Sequence, residues 1–195
     1  MDDILLQLPR GIALRGLRHS DAPSLARHAT SKEVWDNLRN RMAHPYTEAD
    51  ATTWINFTLD TSNHVRSGKW TPEHGSEGPA LLTGYAITID DEVVGSIGPK
   101  FGDDIYIRTA EIGYWLGVEH WGKGVMTSVV PAFLAWAWET FGILVRVNAE
   151  TYESNAASGK VLQKAGFKFE GRQPDMCYKN GVVGAALMWG ALRPR

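Results

Sequence analysis

Residues 110–127 read Ala110-Glu111-Ile112-Gly113-Tyr114-Trp115-Leu116-Gly117-Val118-Glu119-His120-Trp121-Gly122-Lys123-Gly124-Val125-Met126-Thr127. Residues 110–117 read as a strand. A short loop follows, and a long helix begins near Lys123 and ends near Phe141. Gly122 and Gly124 therefore stand at a helix start. A helix N-terminus presents unpaired backbone N–H groups and a partial positive charge, so it holds an anion without many basic side chains. Glycine lets a ligand approach that backbone closely. A Gly-Lys-Gly by itself is also an ordinary tight turn, so its surroundings must decide.

Two nucleotide motifs fail here. Gly117, Gly122 and Lys123 match G-x-x-x-x-G-K-[ST] up to its last position. Gly124 then stands where a Mg²⁺-holding hydroxyl is required. In the dinucleotide pattern G-x-G-x-x-G, Gly122 and Gly124 match but the third glycine is replaced by Thr127.

Around this segment the chain reads as strands and helices. Residues 12–18 alternate apolar and polar residues, which predicts a strand. Ser20 is expected to cap a helix over 21–28. A second short helix follows from Ser31, and a third starts at Thr47 and extends toward Ser67. Residues 68–79 carry five glycines or prolines among polar residues and form the one clear loop or insertion. Residues 80–89 and 93–101 read as strands about an Asp90-Asp91-Glu92 turn. Later come a strand over 143–151, a helix over 156–165, a strand over 167–173, and a strand over 185–192 after the Lys179-Asn180-Gly181-Val182 turn. Pro131 inside the long helix is expected to kink it. An antiparallel meander that passes into β-α-β-α-β predicts an α+β protein with a mixed sheet.

Composition narrows the function. The chain has 195 residues, 20 basic against 22 acidic, and a net charge of −2. That length suits one domain over 1–195. The charge argues against a basic face for nucleic acid or anionic membrane. A lone cysteine, Cys177, excludes an internal disulfide framework. No stretch approaches the roughly 18 apolar residues of a membrane span. Met1-Asp2-Asp3-Ile4-Leu5-Leu6 is acidic and its apolar run is short for a signal peptide, so a cytoplasmic protein is expected. The six histidines show no metal-ligand spacing along the chain, so no metal is expected. No G-x-S-x-G elbow is present.

Trp121-Gly122-Lys123-Gly124-Val125-Met126 resembles the acetyl-CoA loop, [QR]-x-x-G-x-[GA], of N-acetyltransferases. Trp121 and Met126 depart from that pattern, and Trp-Gly-Lys-Gly is common in the RimJ/RimL-like subgroup. Residues 155–167, Asn155-Ala156-Ala157-Ser158-Gly159-Lys160-Val161-Leu162-Gln163-Lys164-Ala165-Gly166-Phe167, resemble the family's N-x-x-S-x-x-x-L-x-K-x-G-F. Residues 12–21 resemble its L-R-x-L-x-x-x-D opening. Together these segments resemble the GNAT superfamily, RimJ/RimL-like subgroup.

The resemblance implies the GNAT fold: a central, mostly antiparallel twisted sheet with a V-shaped splay between two parallel strands, flanked by helices. It implies acetyl-CoA as co-substrate, with the pantetheine on the backbone of Leu116 and Val118. The pyrophosphate would meet Trp121, Gly122, Lys123, Gly124, Val125, Met126 and Thr127, and Asn155 and Ser158 would face the arm and thiol. Glu111 stands where several members carry the base, and a strand glutamate facing solvent is the other reading. Many members place an acidic tyrosine at the position of Leu162. Ser158 is the local substitute for it, with Tyr152 and solvent as alternatives.

The partners implied are acetyl-CoA and an amine acceptor, a protein N-terminus or a small amine, on a monomer or homodimer. A non-catalytic acyl-CoA sensor of the same fold is the alternative. Of eight tryptophans, Trp35, Trp54 and Trp70 fall in the region expected to border the acceptor. Asp103 and Asp104 are candidates to attract a cationic one.

Overall fold

Antiparallel hairpins and strand-helix-strand connections account for most of the described residues. The computed structural model describes residues 4–194, so Met1–Asp3 of the expected N-terminus lie outside the described residues. In chain order the elements begin with β1 (Ile4–Gln7), β2 (Ile12–Gly16), α1 (Ala22–Ala29), α2 (Lys32–Asp36) and α3 (Glu48–Leu59). Four two-residue strands follow: β3 (Val65–Arg66), β4 (Trp70–Thr71), β5 (Gly75–Ser76) and β6 (Ala80–Leu81). The rest are β7 (Tyr85–Ile89), β8 (Glu92–Phe101), β9 (Thr109–Leu116), α4 (Val125–Thr140), β10 (Arg146–Tyr152), α5 (Ala156–Lys164), β11 (Lys168–Lys179) and β12 (Val182–Leu192). The main sheet orders its strands β1-β2-β7-β8-β9-β10-β12-β11. β9 and β10 run parallel, while β1–β2, β2–β7, β7–β8, β10–β12 and β11–β12 are antiparallel. This is the mixed sheet that the sequence predicts, mostly antiparallel with a parallel pair as the resemblance implies.

The chain divides into two compact units. The first holds residues 4–65, Ala80–Gly98 and Tyr114–Val129. Its core joins Leu17, Leu25, Ala51, Ile55, Ala86 and Val93, so α1 and α3 bury their apolar faces on the strands around β7. Full burial of such a side chain contributes about 1.5–3 kcal/mol. Arg15 on β2 is 2% exposed and is held by both oxygens of Asp21, at 2.8 and 2.9 Å, and by Asp91. Asp21 also accepts the Arg18 backbone N–H at 2.7 Å. These contacts explain the Arg15 and Asp21 positions of the opening motif, because a buried guanidinium needs its carboxylate. Arg15 in turn holds the Asp91 carboxyl below the usual range.

The second unit holds Arg66–Pro79, Pro99–Gly113 and the chain from Val130. In it β9 pairs with β10 through Thr109↔Arg146, Ala110↔Val147 and Glu111↔Asn148. α5 lies on β10 and β11, and Gly159 faces Trp189 so closely that an added Cβ would stand 3.1 Å from the ring. Trp189 donates to Thr151 at 3.1 Å, which fixes that ring.

Several boundaries differ from expectation. Asp21, rather than Ser20, precedes α1, and residues 19–21 form a single 3-10 turn. α3 starts with a capping box of Thr47 and Asp50 but stops at Leu59, eight residues short. Asp60 caps a separate turn there by accepting the Ser62 N–H at 2.9 Å. The expected loop at 68–79 contains the β4–β5 hairpin, turned by Gly75 at φ +68°. The strand expected over 80–89 is broken between Leu81 and Tyr85. β11 and β12 are longer than expected because their exposed positions are apolar as often as polar, which hides the period of two.

Candidate functional site

In the first unit β9 ends at buried Leu116, and a 3-10 turn over Val118–His120 leads away from it. The Gly117 N–H donates to the Val94 carbonyl at 2.8 Å. The Trp121 indole folds back and donates to the Leu116 carbonyl at 2.7 Å. Trp121 thus braces the loop from its own strand.

Gly122 and Gly124 have φ +70° and +77°. A side chain there would cost roughly 1–2 kcal/mol in backbone strain. A Cβ on Gly122 would meet nothing within 4 Å, so conformation, not crowding, requires that glycine. The first bond of the helix runs from the Ser128 N–H to the Gly124 carbonyl at 3.2 Å. The amides of Val125, Met126 and Thr127 precede it, and no side chain caps them among the described residues. Three amides, the helix dipole and exposed Lys123 form one electropositive cradle, suited to a pyrophosphate.

Arg10 adds to this loop. It sits at φ +65° in the β1–β2 turn, and its Nη1 donates to the Lys123 carbonyl at 2.9 Å. The other terminal nitrogen comes within 3.4 Å of where a Gly124 Cβ would stand. Sequence reasoning missed Arg10, because the two residues are 113 apart and neither neighbourhood carries a local signal.

In the second unit Glu111 is half-buried, in register with Asn148 on β10. Arg146, two residues before Asn148, bonds its carboxamide oxygen and the Glu170 carboxylate. Asn155 is the N-cap of α5, and its Oδ1 accepts the Ser158 N–H at 3.1 Å. That leaves its amide N–H groups to offer elsewhere. Ser158 is half-buried on the first turn, and Leu162, one turn on, is wholly buried.

Leu116, Val118 and residues 121–127 thus share the first unit, while Glu111, Asn155 and Ser158 share the second. The aromatic residues expected at the acceptor divide likewise. Trp35 stacks on His44 at 5.0 Å and Trp54 on Phe57 at 5.5 Å, both in the first unit. Trp70, in the second, lies 4.7 Å from the Arg108 guanidinium. Asp103 precedes and Asp104 begins an exposed 3-10 turn, and Cys177 donates to the Gly184 carbonyl on the last hairpin.

The histidines do not stay scattered. His28, on the last turn of α1, is buried beside Glu119 and His120. Its ring presses on Gly117, where an added Cβ would stand 2.5 Å from Nδ1. Burial, with Arg27 and His120 nearby, pushes its pKa below the usual imidazole value. Burial and Lys123 do the same to His120.

Residues 12–168 match the family described as an acetyltransferase (GNAT) domain. "Uncharacterized N-acetyltransferase p20" of Bacillus licheniformis is 30% identical over 150 residues, 76% of this chain and 83% of the relative. "Ribosomal-protein-serine acetyltransferase" of Escherichia coli is 31% identical over 125 residues, 61% of this chain and 68% of that protein. The match to "Uncharacterized N-acetyltransferase YoaA" of Bacillus subtilis is 33% identical and spans 49% of its length. Among solved structures, RimL, a ribosomal L7/L12 alpha-N-protein acetyltransferase in complex with coenzyme A, superposes with a TM-score of 0.75 at 19% identity, over 97% of each chain. Mycobacterium smegmatis RimJ gives 0.76 at 22%, over 96% of this chain and 85% of that one. The chain belongs to the GNAT family of acetyltransferases, as its glycine loop and Asn155–Phe167 segment imply.

Proposed function

We propose that the protein transfers the acetyl group of acetyl-CoA to a primary amine. The observation that carries this is the start of α4, where two positive-φ glycines lead into three uncapped amides. The pyrophosphate accepts from the amides of Val125, Met126 and Thr127, with Lys123 adding charge. Trp121 and Arg10 hold the loop in the binding shape. Leu116 and Val118 offer backbone groups to the pantetheine, and Asn155 and Ser158 face its arm and thiol.

The chemistry needs little more. The amine nitrogen attacks the thioester carbonyl, the C–S bond breaks, and coenzyme A leaves as a thiolate. An alkyl ammonium is protonated at neutral pH and has no lone pair to give. Glu111 removes that proton, directly or through water. The Ser158 hydroxyl or solvent returns one to the thiolate. The Gly117 N–H is committed to Val94, so it does not serve the developing oxyanion.

The chain acts as one acetyltransferase domain over 1–195, in the cytoplasm, as a monomer or homodimer, without nucleic acid or membrane. None of its described helices is long and apolar enough to cross a membrane. Relatives named for ribosomal proteins make a protein N-terminus the first acceptor to test, ahead of small amines. A second reading, an acyl-CoA sensor, draws support from Leu162, whose buried side chain removes the tyrosine hydroxyl many members use.

Release of free thiol from acetyl-CoA, measured across N-terminal peptides, polyamines, amino sugars and amino acids, tests the proposal. At least one amine should give thiol in equal amount to acetylated product. Tight acetyl-CoA binding with no thiol from any acceptor would leave the sensor.

A further inference from the structure

We infer that His28, Glu119 and His120 form a Zn²⁺ site that fastens the end of α1 to the loop entering α4. Each residue offers one ligand atom, and these atoms lie within 4.8 Å of one another. Two imidazole nitrogens and a carboxylate are a common donor set for zinc, with a fourth position left to water.

The ring geometry also matches that of a shared ion. The two imidazole centres are 5.3 Å apart with planes tilted by 59°. Two histidines on one tetrahedral Zn²⁺, with Zn–N bonds of about 2.0–2.1 Å, place their ring centres about 5 Å apart. Donor atoms in such a shell stand about 3.3 Å apart, so the set must contract. Exposed Glu119 and half-buried His120 can do so by side-chain rotation, while His28 stays fixed against Gly117.

One neighbour must move. Arg27 Nη2 stands 3.0 Å from His28 Nε2, and Glu92 stands 3.3 Å from the same atom. Arg27 can only donate and Glu92 can only accept, so the tautomer sets the role of Nε2, and the ion requires the tautomer in which Nε2 presents its lone pair. Arg27 is 57% exposed and already ion-paired to Glu92, so it can swing to that carboxylate and clear the position. Glu92 then neutralises the added charge. The ligands are separated by about ninety residues along the chain, which is why spacing alone argued against any metal.

The site adjoins Trp121 and Gly122 in sequence. A bound ion would therefore stiffen the glycine loop. It takes no part in acetyl transfer, and its existence does not depend on the proposed activity.

Titration of the metal-free full-length chain with Zn²⁺ against a chromophoric chelator tests this directly. The wild type should bind one Zn²⁺ per chain and show a higher Tm when loaded. His120→Ala and Glu119→Gln should each weaken binding by about tenfold or more. His74→Ala, which alters an exposed histidine of the other unit, should bind as the wild type does. His28→Ala removes a buried ring, so the decisive variant is His120→Ala, with its fold checked by circular dichroism. Co²⁺ in place of Zn²⁺ should give the visible bands of a tetrahedral ion. No stoichiometric Zn²⁺ on the wild type, or equal binding by a folded His120→Ala, would overturn the inference.

Discussion

The two helix starts that the sequence singles out are built in opposite ways. At α5 a side chain does the capping: Asn155 Oδ1 takes the Ser158 N–H. At α4 the chain arrives through Gly122 and Gly124 with positive φ, and the amides of residues 125–127 are left to an outside acceptor. A capped terminus is finished when folded, whereas an uncapped, glycine-entered one is completed by a ligand. The same contrast separates holding a cofactor's charge from shaping its reactive end. In the proposed function, backbone donors serve the first, and Glu111, Asn155 and Ser158 serve the second.

The largest effect should come from Glu111, which belongs to neither helix start. Glu111→Gln should lower kcat by about 100-fold or more while the KM for acetyl-CoA stays put. The deficit should narrow at high pH, where the amine loses its proton unaided. A variant equally active at every pH would remove Glu111 from the proton transfer.

Gly124→Val should weaken coenzyme A binding about 100-fold, since strain and a β-branched side chain both close the cradle. Calorimetric titration beside a thermal melt would show affinity lost with the fold retained. Asn155→Ala should cost about 1 kcal/mol of stability through the lost cap. Asn155→Ser keeps an acceptor for the cap and removes the carboxamide. If Asn155 also meets the cofactor, the serine variant keeps its Tm and still loses affinity, whereas unchanged affinity would make it a cap alone. The smallest effect is expected from Arg10→Ala, where one exposed bond to the Lys123 carbonyl disappears. Acetyl-CoA KM should rise about threefold to tenfold with kcat unchanged. A fall in kcat instead would show that Arg10 does more than brace the loop.

The order and type of the main elements were legible, because strand alternation, capping residues and glycine stops are local. So was the glycine-entered start of α4, where Gly122 and Gly124 take positive φ. The misjudged end of α3 was local too, but two signals competed there. Asp60 caps a new turn just where the polar pattern allowed the helix to continue. Arg10 and the His28–Glu119–His120 group were not legible at all. Each depends on residues far apart in the chain meeting at one loop, and no periodicity encodes that meeting. The region expected to border the acceptor was half legible: the tryptophans were visible, but ring contacts assign Trp35 to His44 and Trp70 to Arg108, partnerships that the count did not reveal.

The central claim is that the start of α4 is an anion cradle for acetyl-CoA. The most direct measurement is calorimetric titration of the intact chain with acetyl-CoA, repeated with Gly124→Val. One site per chain on the wild type, weakened about 100-fold by the substitution without loss of fold, is the predicted result. Absence of binding to the folded wild type, or affinity untouched in Gly124→Val, would contradict it.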